Sequence, residues 1–370
     1  MNPIRVLCVV GARPNFMKMA PIVRALADAP RPFETTLVHT GQHYDEAMSK
    51  VFFDELQLPR PDVDLNVGSG SHAAQTASIM TAFEPVLLEH RPDLVIVVGD
   101  VNSTIACAQV AVKLRIKVAH VEAGLRSYDR TMPEEINRVL TDQISDLLFT
   151  TEESASDNLA REGVAGDRVH FVGNVMIDTL MAHRDRALAM DTPRKLGLNG
   201  RFGLLTLHRP ANVDDKDAFA GLLSALEVIA AETPLVFPVH PRTRAALLTS
   251  AAANRLVSTG HLRLLDPLGY LEFLGLMQGS SVVLTDSGGI QEETTILGLP
   301  CLTLRNNTER PITVTAGTNV IAGTTPATIL AAWRGLKAAP PKRTAPPLWD
   351  GKAAARIVEV LERELAGPLL

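Results

Sequence analysis

Apolar and polar positions along the chain alternate between two patterns, short aliphatic runs and longer stretches with helical spacing. Ile4–Val10 is a continuous apolar run, and Phe16–Ala27 follows with apolar residues three and four positions apart, which predicts a strand and then a helix. The first half continues in this way, with further strands predicted at Thr35–Thr40, Leu94–Val98, Lys117–Val121, Leu147–Thr150 and Val169–Val172. The helices predicted between them are Glu46–Leu56, Ala73–Glu89, Ser103–Leu114 and one that starts at Pro133. Alternation of this kind is typical of a parallel sheet covered by helices on both faces.

The pattern restarts after a polar, breaker-rich stretch at Thr192–Arg201. Strands are predicted at Phe202–Leu207, Leu235–Val239, Leu262–Leu265, Val282–Thr285 and Cys301–Leu304. The proline-rich segment Ala338–Pro347 is predicted to be extended, and Lys352–Leu365 to be an amphipathic helix. We therefore expect two Rossmann-like doubly wound parallel-sheet domains, 1–175 and 176–350, with a final helix (352–366) on the first. Such domains bind ligands at the carboxyl ends of their strands, which predicts an active-site cleft between the domains.

Composition and charge narrow the class of protein. A chain of 370 residues, 46% of them hydrophobic, is too long to form a single hydrophobic core, so two domains are expected. Its net charge of −5 argues against nucleic acid as a partner. Cys8, Cys107 and Cys301 lie far apart in apolar stretches, which favours reduced core residues in a cytoplasmic protein over a disulfide or metal set. With neither a leader-like start nor an apolar run of about 18 residues, no membrane association is expected.

The stretch Val282–Glu293 has the strongest chemical pattern, because an apolar strand runs into a Gly pair and then directly into a helix. Free N–H groups at such a helix start bind phosphates. Ser287 adds a hydroxyl, and Gly288 and Gly289 allow a ligand to approach the main chain. Glu293, one turn later, could accept hydrogen bonds from sugar hydroxyls. The alternative is an ordinary turn capped by the Ser287 side chain.

In the first half, polar residues also follow predicted strands. Arg13 and Lys18 come after the first strand and are suited to a diphosphate, with a solvated loop and a surface lysine as the alternative. Asp100 follows the strand Leu94–Val98 and Glu122 follows Lys117–Val121, whereas Glu134 opens a helix. A helix cap would also account for Asp100, and the helix dipole for Glu134. Together these carboxylates at the mouth of one sheet could supply an acid and a base.

The second half adds two histidines and two aromatic residues. His208 and His240 each follow a strand, at equivalent positions. Tyr270 and Phe273 precede the central strand and could face a flat base, although these residues alone favour a core role for both. Arg310, in the loop after Cys301–Leu304, is another candidate cation for a phosphate.

Two tempting motifs fail on their context. Gly68–Ala73 matches the letters of a dinucleotide fingerprint, but no strong strand precedes it. His39 and His43 have helical spacing, but Gly41 and the end of a strand break any helix that would align them on zinc. We therefore expect no metal and no added cofactor.

Taken together, the motifs resemble the non-hydrolysing UDP-N-acetylglucosamine 2-epimerase family. They run in order from the first strand into the second half: Gly-x-Arg-Pro at 11–14, Thr-Gly-Gln-His at 40–43, Gly-Asp at 99–100, His-Val-Glu-Ala-Gly-Leu-Arg at 120–126, Pro-Glu-Glu-x-Asn-Arg at 133–138, His-Arg at 208–209, Thr-Asp-Ser-Gly-Gly-Ile-Gln-Glu-Glu at 285–293 and Thr-Glu-Arg-Pro at 308–311. The resemblance implies two domains of the glycosyltransferase-B type and interconversion of UDP-GlcNAc and UDP-ManNAc in a homodimer.

The resemblance also implies roles for particular residues. Asp100, Glu122 and Glu134 would be the acid–base carboxylates. Arg138 would support them, and His208 and His240 would be site histidines of the second domain. The implied ligands of the UDP-sugar are Arg13, Lys18, Phe273 at the uracil, Ser287, Gly288 and Gly289 at the phosphates, Glu293 at the ribose, and Arg310 near the diphosphate. Gln42 and His43 would mark a candidate second substrate site.

Three other functions remain open on the sequence alone. The first is an epimerase of a related UDP-2-acetamido sugar, a uronate or a 2,3-diacetamido form. The second is a glycosyltransferase of the same architecture, and the third is a catalytically silent nucleotide-sugar sensor.

Overall fold

The computed structural model describes residues 3–41, 53–239, 241–339 and 344–365. The chain divides into two compact units, Met1–Ala182 together with Pro347–Leu370, and His183–Pro346. The sequence suggested a boundary after residue 175, whereas the structure divides the chain inside a helix that starts at Val175.

The first unit is built on a parallel sheet. In chain order its strands are β1 (Ile4–Val10), β2 (Phe33–His39), β3 (Val63–Asp64), β4 (Leu94–Val98), β5 (Lys117–Ala123), β6 (Leu147–Thr150) and β7 (Val169–Phe171). Their order across the sheet is β3-β2-β1-β4-β5-β6-β7. The chain direction across the sheet reverses between β1 and β4, so the loops after these two strands diverge and leave a crevice at their carboxyl ends.

Helices lie between and after the strands of this sheet, and the spacing predicted the first four of those described. They are α1 (Arg13–Ala27), α2 (His72–His90), α3 (Asn102–Lys113), α4 (Pro133–Ile144), α5 (Glu153–Arg161) and α6 (Val175–Ala189). Every residue of β4 is buried, so helices cover both of its faces. Most of the predicted helix Glu46–Leu56 lies outside the described residues.

The spacing predicted a helix from Phe16, whereas α1 begins at Arg13 because of two residues in its first turn. Pro14 fits the first turn of a helix because it needs no N–H partner there. The Asn15 side chain accepts a hydrogen bond from the Ala12 N–H at 2.8 Å and donates to the Val98 carbonyl at 3.0 Å. The start of α1 is thereby tied to the end of β4.

The second unit repeats the architecture. Its strands are β8 (Gly203–Thr206), β9 (Leu235–Pro238), β10 (Leu262–Leu265), β11 (Val282–Thr285), β12 (Cys301–Thr303) and β13 (Asn319–Ile321). They form a parallel sheet in the order β10-β9-β8-β11-β12-β13, with the reversal between β8 and β11. The sequence patterns did not predict the short strands β3 and β13.

The helices of the second unit lie before, between and after these strands. They are α7 (Thr192–Lys195), α8 (Pro210–Val213), α9 (Lys216–Glu232), α10 (Pro241–Leu248), α11 (Ala251–Ser258), α12 (Tyr270–Gln278), α13 (Gly288–Leu297), α14 (Ile312–Thr315) and α15 (Pro326–Ala338). Across both units, none of the described helices is long and apolar enough to cross a membrane.

The last helix, α16 (Ala353–Glu364), returns to the first unit and packs against α1. The side chain of its N-cap residue, Lys352, makes no capping hydrogen bond, and Asp178 of α6 caps the helix instead. The Asp178 carboxylate accepts hydrogen bonds from the N–H groups of Ala353 at 3.1 Å and Ala354 at 2.7 Å. Burial raises the pKa of Asp178 to about 6, although these two hydrogen bonds oppose the rise.

We expect Asp178→Ala to lower the free energy of unfolding by about 1–2 kcal/mol, because two N–H groups at the start of α16 lose their acceptor. Urea denaturation followed by circular dichroism measures the loss, and hydrogen exchange of the α16 amides locates it. Unchanged protection of those amides would contradict the capping role.

Asp178→Asn tests whether the pKa of Asp178 is raised in the folded protein. Because the folded-state pKa of about 6 lies above the ordinary value of 3.8, the native protein loses stability as pH rises from about 4 to 6, relative to a variant that cannot ionise there. The free energy of unfolding of the Asn variant minus that of the native protein should therefore grow over this range. Asp350→Asn is the control of opposite sign. A hydrogen bond from Arg356 holds the pKa of Asp350 below its ordinary value of 3.8, so the corresponding difference should fall as pH rises, mainly below that value.

Candidate active site

In the first unit, the loops after β1, β2 and β4 come into direct contact at the crevice. The Thr40 and Ser103 hydroxyls are 2.7 Å apart, and a Cβ placed on Gly11 would lie only 2.2 Å from the Ser103 Oγ. Glycine at position 11 is therefore needed for this close approach, and the three loops form one floor for the candidate site.

Lys18 and Glu122 form a buried ion pair at this floor. The Lys18 Nζ lies 2.7 Å from a Glu122 carboxylate oxygen, and the two side chains are only 7% and 2% exposed. A Cβ on Gly99, where φ is +68°, would lie 2.9 Å from the same Nζ. Lys18 is therefore not the exposed lysine of the alternative interpretation. Its charge compensates a carboxylate that is shielded from water.

Glu122 occupies a strained position in the sheet. Its φ is +73°, which is uncommon for a residue with a Cβ. Val121 pairs with Phe149 and Ala123 with Thr150, so Glu122 is an extra residue in β5 and forms a bulge. Bulges and left-handed residues re-aim side chains and are frequent beside active sites.

Asp100, after β4, faces Arg138 of α4. The Asp100 carboxylate accepts hydrogen bonds from the Arg138 Nε at 3.0 Å and Nη2 at 2.6 Å. Arg138 also donates to Glu135. Arg138 thus makes a two-pronged charge-assisted contact with one oxygen of the Asp100 carboxylate.

The two neighbouring glutamates of α4 differ sharply. Glu134, the sequence candidate, is half-buried, whereas Glu135 is 3% exposed. The Glu135 carboxylate accepts hydrogen bonds from the Ser127 N–H, the Ser127 hydroxyl and the Tyr128 N–H, each at 2.9–3.0 Å. Glu135 therefore anchors the turn after β5, a role that the helix dipole alone would not explain. Of the two glutamates, Glu134 is the one whose side chain is partly exposed.

His120 and Asp142 form a fully buried pair that motif reasoning gave no role. The His120 Nδ1 lies 2.7 Å from Asp142 Oδ1, and its Nε2 lies 2.8 Å from the Gly99 carbonyl oxygen. Asp142 also accepts from the Gly124 N–H and pairs with Arg126 at 2.6 Å. An isolated histidine in an apolar strand gives no sign in the sequence of such a partner 22 residues away.

In the second unit, Asp286 ties the loop after β8 to the end of β11. Its carboxylate accepts hydrogen bonds from the backbone N–H groups of His208 and Arg209, from the Asn212 amide, and from the His208 ring at 2.8 Å. Burial alone would raise the pKa of Asp286, but these donors hold it below its usual range. His208 is thus oriented by a carboxylate that the sequence analysis did not single out, while 58% of its side chain stays exposed.

The start of α13 has the geometry of an anion site. Ser287 is the N-cap residue, yet its side chain makes no capping hydrogen bond, so the ordinary cap of the alternative interpretation is wrong. A Cβ on Gly288 would lie 2.4 Å from the Arg310 Nη1 and 2.8 Å from a Glu309 oxygen. A larger residue at 288 would push against these two buried side chains, and Gly289 continues the first turn.

Arg310 lies beside that turn in a buried cluster of charges. It is 5% exposed and donates to Glu292 at 2.6 Å and to Glu309 at 2.5 Å. Glu309 also pairs with Arg305 at 2.8 Å. The predicted loop cation is therefore a guanidinium held next to Gly288 by two carboxylates.

Glu293 is buried against Tyr270, whose hydroxyl donates to it at 3.1 Å. Burial raises the pKa of Glu293 to about 8, with Glu292 adding to the rise and the Tyr270 hydrogen bond opposing it. The carboxyl therefore carries a proton at neutral pH and can both donate and accept. Tyr270 is a core residue at 4% exposure, whereas Phe273, one turn along α12, is only half-buried.

Gln42, His43 and His240 lie outside the described residues, as does the side chain of Arg13. Their assignments remain predictions. Within the described part of the chain, His, Cys, Asp and Glu side chains nowhere gather in a group of three that could hold a metal ion.

Comparison with known proteins agrees with this geometry. The family model described as UDP-N-acetylglucosamine 2-epimerase matches residues 24–362. The UDP-N-acetylglucosamine 2-epimerase of Methanococcus maripaludis is 43% identical over 328 residues, 87% of this chain and 88% of that protein. The UDP-2,3-diacetamido-2,3-dideoxy-D-glucuronate 2-epimerase of Pseudomonas aeruginosa is 42% identical over 323 residues, 86% of this chain and 88% of that protein.

A solved structure is similarly close. The UDP-GlcNAc 2-epimerase of Methanocaldococcus jannaschii, in complex with UDP-GlcNAc and UDP, superposes with a TM-score of 0.90 at 42% identity. The match covers 97% of this chain and 100% of that one. The fold is thus the two-domain parallel-sheet architecture of the glycosyltransferase-B type, and this chain belongs to the UDP-N-acetylglucosamine 2-epimerase family of isomerases.

Proposed function

We propose that the protein interconverts UDP-GlcNAc and UDP-ManNAc by eliminating UDP and adding it back through a 2-acetamidoglucal intermediate. The observation that carries the proposal is the placement of Asp100 just after β4 and of Glu122 at the end of the adjacent β5, each beside a buried cation. The Methanocaldococcus jannaschii relative, solved with UDP-GlcNAc and UDP, supports the choice of substrate.

The chemistry explains why two carboxylates are needed. The hydrogen on C2 of the sugar is not acidic, because no carbonyl is attached to that carbon. When the C1–O bond to UDP breaks first, positive charge grows at C1 and a carboxylate can take the C2 proton. Return of a proton to the opposite face, with UDP adding again at C1, gives the epimer. The reaction thus requires an acid–base group on each face of C2.

We assign Asp100 and Glu122 to the two faces of C2, with Glu134 adjusting their protonation. Lys18 balances the charge of Glu122, and Arg138 that of Asp100. The left-handed backbone at Glu122 holds its carboxylate out of the regular pleat of β5.

The departing UDP needs donors and positive charge, and the second unit supplies them. We assign the phosphates to Ser287, Gly288 and Gly289 at the start of α13, where N–H groups and the helix dipole favour an anion. The protonated Glu293 suits the ribose hydroxyls and Phe273 the uracil. Further groups proposed at the diphosphate are His208 as a catalytic residue, His240, Arg13 and Arg310.

A second candidate is a related substrate and not a different reaction. The Pseudomonas aeruginosa relative, a UDP-2,3-diacetamido-2,3-dideoxy-D-glucuronate 2-epimerase, is nearly as similar as the Methanococcus maripaludis one. The same C2 chemistry applies to that sugar. The two substrates differ in their C3 and C6 substituents, so only direct assay separates them.

We also propose that the protein works as a homodimer in the cytoplasm without an added cofactor. Cys8, Cys107 and Cys301 are all free and buried, which fits a reducing compartment.

Incubation with UDP-GlcNAc in D₂O tests the reaction itself. We expect deuterium at C2 of both UDP-GlcNAc and UDP-ManNAc, measured by NMR and mass spectrometry, without release of free sugar. A nucleotide-sugar sensor would incorporate none, and a glycosyltransferase would await an acceptor. Parallel incubation with UDP-2,3-diacetamido-2,3-dideoxyglucuronate, compared by kcat/KM, decides between the two candidate substrates.

Single substitutions test the carboxylates. Asp100→Asn, Glu122→Gln and Glu134→Gln should each lower kcat by ~10²–10⁴, because each removes a proton-transfer group or its partner. UDP binding, measured by calorimetry, should stay close to that of the native protein. Near-normal turnover in all three variants would remove the assignment.

Gly288→Ala tests the phosphate site. The added Cβ would meet the Arg310 guanidinium at 2.4 Å, so we expect UDP binding to weaken by about tenfold or more as the first turn of α13 is displaced. Gly335→Ala is the matched control, since a Cβ there meets nothing within 4 Å. Equal UDP affinity in the two variants would argue against phosphates at this helix start.

A further inference from the structure

Three polypeptide segments that carry the candidate acid–base groups meet at one buried side chain, His120. His120 lies on β5, two residues before Glu122. Its Nε2 lies 2.8 Å from the carbonyl oxygen of Gly99, in the turn that carries Asp100. Its Nδ1 lies 2.7 Å from Asp142 of α4, the helix that carries Glu134. The ring is 0% exposed.

Each ring nitrogen of His120 lies within hydrogen-bond distance of an oxygen on another segment. The Gly99 carbonyl oxygen can only accept, so Nε2 carries a hydrogen. Asp142, the partner of Nδ1, also accepts from the Gly124 N–H and pairs with Arg126. The ring therefore joins α4 to the Gly99–Asp100 turn.

We propose that His120 is a positioning residue for the proposed C2 chemistry, clamping the Gly99–Asp100 turn and α4 to β5, the strand that carries Glu122. His120 does not need to touch the substrate to do this. The backbone on both sides of the clamp is unusual, since Gly99 has φ +68° and Glu122 has φ +73°. A second link, from the Gly99 N–H to the Val121 carbonyl at 3.0 Å, joins the same turn to β5. Strained segments keep one geometry only when surrounding contacts fix them.

The inference rests on the proposed function, because it assigns these groups to proton transfer. A shift of about 1 Å in one of them relative to the sugar is expected to cost about 10²-fold in rate while leaving the nucleotide site intact. A structural role alone would instead lower stability, and would affect KM and UDP affinity together with kcat.

His120→Phe removes both donors and keeps a ring of similar size. We expect kcat to fall about 10²-fold, with KM and the UDP dissociation constant within about threefold of the native values. The side chain in His120→Asn is polar but too short to reach both Asp142 and Gly99, so this variant should show the same loss of kcat. It provides the test if the Phe variant does not fold. His170→Phe is the matched control, because His170 lies on the edge strand β7 of the same sheet, and it should keep native kcat.

Asp142→Asn separates geometry from charge. The amide NH₂ can donate to Nδ1 while Nε2–H still donates to Gly99, and the amide oxygen can face the Gly124 N–H. Arg126 keeps both of its hydrogen bonds to Glu162. We expect kcat within about threefold of native, because both hydrogen bonds of the clamp persist without the carboxylate charge. A loss of 10²-fold in a folded Asp142→Asn protein would overturn positioning in favour of a charge effect.

Crystal structures of the His120 variants decide the matter independently of turnover. We expect the 99–101 turn to move away from Glu122 by about 0.5 Å or more, the tolerance typical of catalytic groups. A turn that stays in place, or native kcat in a folded His120→Phe or His120→Asn protein, would refute the positioning role. If the native protein fails to epimerise either UDP-sugar, the proposed function fails, while the position of the turn still decides this inference.

Discussion

A carboxylate taken out of water is stable only beside a cation or several N–H donors, and this constraint shapes both sheets at their carboxyl ends. In the first unit Glu122 has Lys18, Asp100 has Arg138, and Asp142 has His120 and Arg126. Each pair joins residues on two different segments of the chain. Buried ion pairs therefore hold the loops and helices around the candidate site, and two of these pairs include a carboxylate that we assign to proton transfer.

The second unit meets the constraint in another way. Asp286 is satisfied largely by donors of a single loop, which fixes His208 at the end of β8. Arg310 lies between Glu292 and Glu309, directly against Gly288. A phosphate at the start of α13 would meet a guanidinium that is already oriented. Preorganised charge of this kind costs little reorganisation when negative charge develops on a departing diphosphate.

Close backbone approach is the second requirement of this architecture. Gly11, Gly99 and Gly288 each lie where a Cβ would come within 3 Å of a functional side chain. Glu122 departs from this rule, since it carries a full side chain at a positive φ. Its strain is maintained by the bulge in β5 and by the ion pair to Lys18, which is consistent with a side chain aimed for chemistry and not for packing.

The sequence by itself determined the alternation of strands and helices, the restart of the pattern near residue 200, and the placement of polar residues after strands. These features depend on spacing along the chain, because burial of a parallel sheet requires continuous apolar runs and the turns that follow require Gly and Asp. The family resemblance likewise rested on ordered local motifs. Local start signals were harder to interpret, and Pro14 and Asn15 moved the beginning of α1 forward to Arg13.

Only the tertiary structure decided which side chains meet. No pattern along the chain indicated that His120 contacts Asp142, that Asp178 caps α16, that Glu135 anchors a turn while Glu134 stays partly exposed, or that Asp286 orients His208. These contacts join residues brought together by strand order across the sheet. Pairing of that kind leaves no periodic trace in the sequence, because it depends on the distance between strand ends in space and not on the number of residues between them.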